Sequence, residues 1–448
     1  MISRYIYKVT CSCCVLLFML MGFSLNAQSL TLVSQTRTID STATDIWGYV
    51  DDSTGTEYAI VGSWDWVSIY DLSDPAIPVR VGYVPNTPGF DVKVWEHYVY
   101  AVNGNTQGMA NVIDISDPAD PQVVGNFPNA HNIFIDDRGY LYTAFGGFRI
   151  YDLNANPLFP PQIFIDTSAT VDGHDVHVIG DTAYFFDTFF DTKIYDISNP
   201  SAPQLLGTIV DPNISYHHSG WPTEDRNYLL ICDELAKKPT PDISVWDISN
   251  LSNPQRVGDY SDTNAIVHNT FIIGDYAYTS YYMEGLRIFD VSDLPNLTVA
   301  AEYFTFPDSS VEAFNGAFGI YPYAPSGLLY VSDMTYGLFI LRFDPMVSIP
   351  ESREPSPFVL EANYPNPFNG STQFRYRVEE AGLAGVEIFD QQGRLIWREE
   401  PAVKAPGTYE FRWEAKNEQG QACAPGFYYY RIAGERPSAT RSMLLLRK

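Results

Sequence analysis

A short phrase returns along this chain at near-regular intervals and narrows the folds open to it. It reads Ile69-Tyr-Asp-Leu-Ser-Asp-Pro75, Val112-Ile-Asp-Ile-Ser-Asp-Pro118, Ile194-Tyr-Asp-Ile-Ser-Asn-Pro200 and Val245-Trp-Asp-Ile-Ser-Asn250, and each copy is followed by a Val-Gly or Leu-Gly pair. Looser copies lie at Ile150-Tyr-Asp-Leu-Asn154 and Ile288-Phe-Asp-Val-Ser-Asp293. The aspartates stand at 71, 114, 152, 196, 247 and 290, so the steps are 43, 38, 44, 51 and 43 residues. Within each step, β-branched and aromatic residues alternate between clusters of Gly, Pro, Asp and Asn, with no amphipathic helix. Strand-rich repeats of roughly 40–50 residues predict a β-propeller. The aspartate of the phrase reads as structural, accepting hydrogen bonds from turn amides while the prolines fix the turn.

Each repeat predicts four strands. An inner strand such as His131-Asn-Ile-Phe-Ile135 is followed by an aromatic-rich second strand such as Tyr140-Leu-Tyr-Thr-Ala144. A third strand ends in the phrase, and the Pro-x-x-Val-Gly piece forms the outer edge. Seven inner strands are predicted, beginning near Thr44, Phe90, His131, His174, His218, His268 and Phe314. The seventh repeat stops at Asp344-Pro345 without its fourth strand, whereas Leu30 to Arg37 precedes the first inner strand with no other role. Letting that segment complete the last blade closes the ring and removes an open edge. In blade 3 the segment Asn156-Pro-Leu-Phe-Pro-Pro161 replaces the usual turn, which puts its outer strand in doubt.

The ends and the charge bound the destination. Arg4 and Lys8, the apolar run Val15 to Leu25, and Leu25-Asn-Ala27 before Gln28 read as a signal peptide over residues 1–27. Cys11, Cys13 and Cys14 precede the apolar core, so a lipoprotein cleavage site is not indicated, and no later run suits a transmembrane helix. Cys232 and Cys423 remain, in different predicted domains, so stability is expected from cores and not from disulfides. Net charge is −27, with 12 Lys+Arg against 41 Asp+Glu in residues 28–350 and 13 against 13 beyond. So acidic a propeller argues against nucleic acid or an anionic membrane as partner; it permits cations, basic partners or plain solubility.

Composition turns polar and Pro/Ser-rich at Ser348 to Ser356, and several short alternating strands follow, predicting a β-sandwich. Asn363-Tyr-Pro-Asn-Pro-Phe-Asn369, Ile388-Phe-Asp-Gln-Gln-Gly-Arg394, Gly426-Phe-Tyr-Tyr-Tyr-Arg-Ile432 and Met443-Leu-Leu-Leu-Arg-Lys448 resemble the C-terminal sorting domain of the type IX secretion system. That resemblance implies an immunoglobulin-like fold, the type IX machinery as partner, transit through the periplasm, and release or display at the cell surface with the tail cleaved. The repeats resemble LVIVD-repeat proteins. Tyr216-His-His-Ser-Gly-Trp-Pro222, Asp233-Glu-Leu235, Phe314-Asn-Gly-Ala-Phe-Gly319 and Ser332-Asp-Met-Thr-Tyr-Gly-Leu338 are similar to the choice-of-anchor B group among them, which implies a surface propeller without an assigned reaction. The domain plan is therefore all-β: a signal peptide at 1–27, a seven-bladed propeller over 28–346, a linker at 347–358 and a small immunoglobulin-like β-sandwich over 359–448.

One constellation could carry chemistry. The predicted inner strands present Thr44-Asp45, Phe90-Asp91, His131-Asn132, His174-Asp175, His218-Ser219, His268-Asn269 and Phe314-Asn315. Strand alternation forbids both members of a pair from facing the same way, so one row faces the channel mouth and the other packs between blades. His131, His174, His218 and His268 are candidate ligands for a divalent cation in the channel, with Asp45, Asp91 or Asp175 adding charge. The Asx row Asp45, Asp91, Asn132, Asp175, Asn269 and Asn315 is the candidate ligand-binding ring. The competing reading is structural: polar residues at an inner strand brace one blade against the next. No catalytic motif appears. The functional expectation is a secreted or cell-surface binding protein of unknown ligand, and the alternative is an extracellular hydrolase or lyase acting on a polymer at the channel mouth.

Overall fold

The structure is a computed structural model. It describes residues 29–446 except 38–41, 106, 167–172, 237–240, 263–264, 307–313, 346–357, 361–362, 367, 380, 390–394, 400–401, 418–419, 425 and 434–440. The predicted signal peptide and nearly all of the predicted linker lie outside the described residues. Seven four-stranded antiparallel sheets follow one another, and no helix occurs among the described residues. Inner strands are Ala43–Val50, Asp91–Trp95, Asn132–Ile135, Asp175–Ile179, His217–Pro222, Thr270–Ile273 and Ala317–Tyr321, for blades 1 to 7 in order.

The repeated phrase has a physical cause at each of its parts. Its aspartate accepts from the amide two residues on: Ser73 N to Asp71 Oδ1 at 2.7 Å, Ser116 N to Asp114 at 2.8 Å, Asn154 N to Asp152 at 3.0 Å. Ser198, Ser249 and Ser292 repeat the bond to Asp196, Asp247 and Asp290. This local acceptor turns the third strand into the outer one. The outer strand then bulges, so that Tyr70 opposes Arg80 while Ile69 opposes Gly82, with the same shift in blades 2 to 6. In blades 1, 2, 4 and 5 the residue after the bulge is glycine and lies against the turn of the next blade: a Cβ on Gly82 would meet Pro118 O at 2.3 Å, and one on Gly207 would meet Leu251 O at 1.7 Å. Only a residue without a side chain lets the two backbones touch.

Blade 3 has its outer strand after all, Gln162–Asp166, and Leu158 O from the irregular turn fills the slot beside Gly125. The N-terminal strand Ser29–Thr36 pairs antiparallel with Gly337–Asp344, the third strand of blade 7, running from Ser29 opposite Asp344 to Thr36 opposite Leu338. It carries the same bulge as the other outer strands, between Leu32 and Ser34. Ser34 stands where blades 1, 2, 4 and 5 have glycine, and its Oγ donates to Pro75 O at 2.6 Å. Both ends of the propeller thus meet in one blade.

The C-terminal unit is a two-sheet sandwich. Phe358–Leu360, Thr372–Val378 and Gly407–Trp413 form one sheet; Leu395–Arg398, Gly382–Phe389, Gly426–Ala433 and Arg441–Leu445 form the other. Phe374, Ile388, Trp413, Tyr430 and Met443 lie between them. Buried Asn363 ties its loop in place: its amide donates to Tyr430 Oη at 2.8 Å and its Nδ2 to Thr372 Oγ1 at 2.9 Å. Cys232 and Cys423 are unpaired thiols, the first buried in the propeller.

Candidate binding site at the mouth of the channel

Inner strands stand around the axis, and alternation sends every second side chain inward. The first inward row holds Asp45, Asp91, Asn132, Asp175 and Asn269 of the predicted Asx ring, with Ser219 in blade 5. Blade 7 departs from the prediction. Asn315 lies in a half-buried turn, where its Oδ1 accepts from Thr335 Oγ1 at 2.7 Å, and Phe314 is 52% exposed. The inward residue there is Gly319, because a Cβ would fall 2.6 Å from Asp45 Oδ1. A search for an aromatic-Asx pair could not see a glycine.

The carboxylates of this row already have a cation. Lys93 Nζ lies 2.7 Å from Asp45 Oδ2 and 2.6 Å from Asp91 Oδ1, all buried, and 4.8 Å from the centre of the Trp47 ring. Burial disfavours the ammonium, but Asp45 and Asp91 outweigh it and raise Lys93 above its ordinary value. Burial raises Asp91, opposed by Lys93, and pushes Asp175 up to about 7. Several bonds of the row cross between blades: Val92 N to Asp45 Oδ2 at 3.2 Å, Asn132 Nδ2 to Asp91 Oδ2 at 2.6 Å, Ser219 Oγ to His268 O at 2.7 Å. These bonds link blade to blade, and Asp45 and Asp91, two of the three carboxylates expected to add charge at a metal, are paired with Lys93.

Two residues further along each strand, the channel is plugged. Trp47, Phe134, Trp221, Phe271 and Tyr321 meet with ring centres between 4.6 and 6.4 Å apart, and His177 stacks on Trp221. The space left above them is about 20 Å³, room for one water.

The four histidines form the other row, across the mouth. His131, His174, His218 and His268 follow one another blade by blade as tilted rings with centres 4.2, 4.1 and 4.7 Å apart. Phe318 continues the row beside His268 at 4.2 Å, Phe90 stands 4.8 Å from His131, and the two phenylalanines meet at 5.4 Å. Outside this ring stand exposed aromatics: Trp64 on Phe90, Phe189 on Tyr216, and Phe314 on Tyr282.

The imidazoles differ in what they bind. His131 Nδ1 contacts Gly104 O at 2.8 Å and His268 Nδ1 contacts Phe318 O at 2.6 Å, so both act as braces. His174 Nδ1 and both ring nitrogens of His218 are buried without a partner. The backbone at His218 and His268 lies near these two rings and eases their shift, but without hydrogen-bond geometry. Burial lowers all four, His268 to about 4, which keeps them neutral at pH 7.

The carboxylate beside them is one the histidine pattern did not include. Glu234 follows the second strand of blade 5, Tyr228–Asp233, and its Oε2 lies 3.6 Å from His218 Nε2. Its Oε1 accepts from Tyr282 Oη at 2.5 Å, and burial pushes the carboxyl up to about 7. Neighbouring Asp233 pins the approach to the site, accepting from Ser215 N at 2.5 Å and Tyr216 N at 3.0 Å. The signal was the Asp233-Glu-Leu235 segment, which sits in a turn and outside the inner-strand periodicity.

Comparison with known proteins agrees with this architecture. The LVIVD repeat model matches residues 90–128, 172–211, 241–262 and 267–305, and the FlgD Ig-like domain model matches residues 366–438. No curated protein matches the chain. Among solved structures, PorZ, an essential bacterial surface component of the type-IX secretion system of Porphyromonas gingivalis, aligns at TM-score 0.47 and 14% identity over 88% of this chain. This chain covers 58% of that one. The WD40 repeats of RRP9 align at TM-score 0.49 and 8% identity, over 70% of this chain and 97% of that one. The chain carries LVIVD repeats in a seven-bladed propeller and an FlgD Ig-like domain behind them.

Proposed function

We propose that this is an exported surface or secreted binding protein, whose propeller takes its ligand at the histidine-ringed mouth and whose Ig-like tail directs it through type IX secretion. The observation that carries the binding reading is the asymmetry of the channel. One level is closed by packed aromatics, while the mouth offers unpartnered imidazole nitrogens under a rim of exposed Trp64, Phe189 and Phe314. Concave, aromatic-lined sites with a few polar groups are where ligands bind. Polymer cleavage would need a free acid-base pair; Asp45 and Asp91 are held by Lys93, and Glu234, the carboxylate at the mouth, is tied to Tyr282. Binding is therefore the better supported reading.

The export reading rests on the tail motifs, with the choice-of-anchor B likeness of the repeats beside them. Propeller and tail have separate apolar cores, so removing the tail leaves the propeller intact. The chain lacking residues 359–448 is expected to stop in the periplasm of a type IX-competent host. The full chain is expected outside, shortened near residues 346–356. Immunoblots of the fractions check this, and equal secretion without the tail would overturn the export reading.

A further inference from the structure

We infer that His174, His218 and Glu234 form a site for one divalent metal ion of the zinc class at the mouth of the channel. A ring nitrogen of each histidine and a carboxylate oxygen of Glu234 lie within 4.8 Å of one another. Ligands of a tetrahedral zinc at 2.0–2.1 Å stand about 3.4 Å apart. The His218–Glu234 pair is already at 3.6 Å, so closing the set requires only a small swing of the half-buried His174 ring.

Local structure aims these groups. The inner strand of blade 5 bulges between His217 and Ser219, which turns His218 out of the ladder and towards the mouth. Glu234 comes from the second-to-third turn of the same blade, and His174 from the start of blade 4. Tyr282 of blade 6 fixes the carboxylate from behind, the kind of outer contact that orients a metal ligand.

A second observation points to a missing ligand. His218 is 1% exposed, yet neither of its ring nitrogens has a hydrogen-bond partner. Buried polar groups left unpaired are costly and uncommon. His177 shares that lack, but it stacks on Trp221 inside the plug and belongs to no group of three ligands among the described residues. His131 and His268 rest Nδ1 on backbone carbonyls and keep Nε2 free, but neither belongs to the group whose ligand atoms converge with Glu234, so the four-histidine set narrows to two. Two imidazoles and one carboxylate suit zinc and its neighbours over calcium or magnesium, and they leave a fourth position open to a donor atom of an arriving ligand. The site stands whether or not the chain is exported.

The purified protein would be loaded with ZnCl2, dialysed against metal-free buffer and assayed for zinc by mass spectrometry, with Co2+ as a spectroscopic substitute. One ion per chain is expected, with a visible band for four-coordinate cobalt. Glu234→Gln and His218→Ala should fall to background, while His131→Ala and His97→Ala keep the metal. Tyr282→Phe, a positioning change, should weaken affinity by roughly 10–100-fold with the cobalt band retained. Glu234→Gln preserves side-chain shape, so it decides the matter if His218→Ala does not fold. Absence of zinc from the parent protein, full zinc in Glu234→Gln, or equal loss in His131→Ala would each overturn the site.

Discussion

Lys93 shows how one side chain changes the meaning of a motif. Asp45 and Asp91 look like metal ligands in a row of histidines, but Lys93, two residues beyond Asp91 on the same strand face, neutralises them internally. Replacing it by Met strands two buried carboxylates, and loss of one partner of a buried pair costs about 3–5 kcal/mol. The pH dependence has a definite sign. Asp91 has its folded pKa raised above the unfolded value, chiefly by burial, and so contributes stability below the unfolded pKa that is lost as pH rises through the folded one. The deficit of Lys93→Met in urea unfolding should therefore be largest at pH 7 and shrink towards pH 4. Equal stability of variant and parent at pH 7 would contradict the ion cluster. The i, i+2 spacing of Asp91 and Lys93 was readable; that Asp45 from another blade joins them was not, since it depends on the ring bringing residues 48 apart to 2.7 Å.

Within a blade, the phrase divides its labour between turn and neighbour. Its Asp makes the turn, a purely local bond, which is why the turn could be read directly from the residues. Its glycine serves a contact with the following blade, and no spacing rule reveals that. Gly207→Ala should destabilise the protein by about 1–3 kcal/mol in chemical unfolding, because the new Cβ falls on Leu251 O. Gly108→Ala is a poor control, its φ being +85°, whereas Ala at an exposed outer-strand position such as Leu205 tests the strand without the contact. Unchanged stability in Gly207→Ala would remove the glycine from the blade interface. The inner strands show the same division: period-two alternation separated the Asx row from the histidine row, but the bulges at His218 and near Gly319 shift register by packing and moved the seventh member from Phe314-Asn315 to Phe318-Gly319.

The ring as a whole is held by strand Ser29–Thr36 on blade 7. Deleting residues 29–37 exposes the edge of Gly337–Asp344 and withdraws Leu30 and Val33 from the apolar clusters they cover. The midpoint of thermal unfolding should fall on the order of 10 °C, several kcal/mol at a few degrees each. A deletion that melts with the parent would show that the ring does not depend on this strand. By itself, the amino-acid sequence determined what is local or periodic: the repeat length, the strands, the aspartate turns, and a segment left over at one end for a blade left short at the other. Only tertiary structure decided which polar residues meet. Closing seven blades around an axis sets Lys93 between carboxylates of two blades and brings Glu234, from a turn, to histidines of two blades. Such encounters span dozens of residues along the chain and obey the geometry of the ring, which no short window of residues contains.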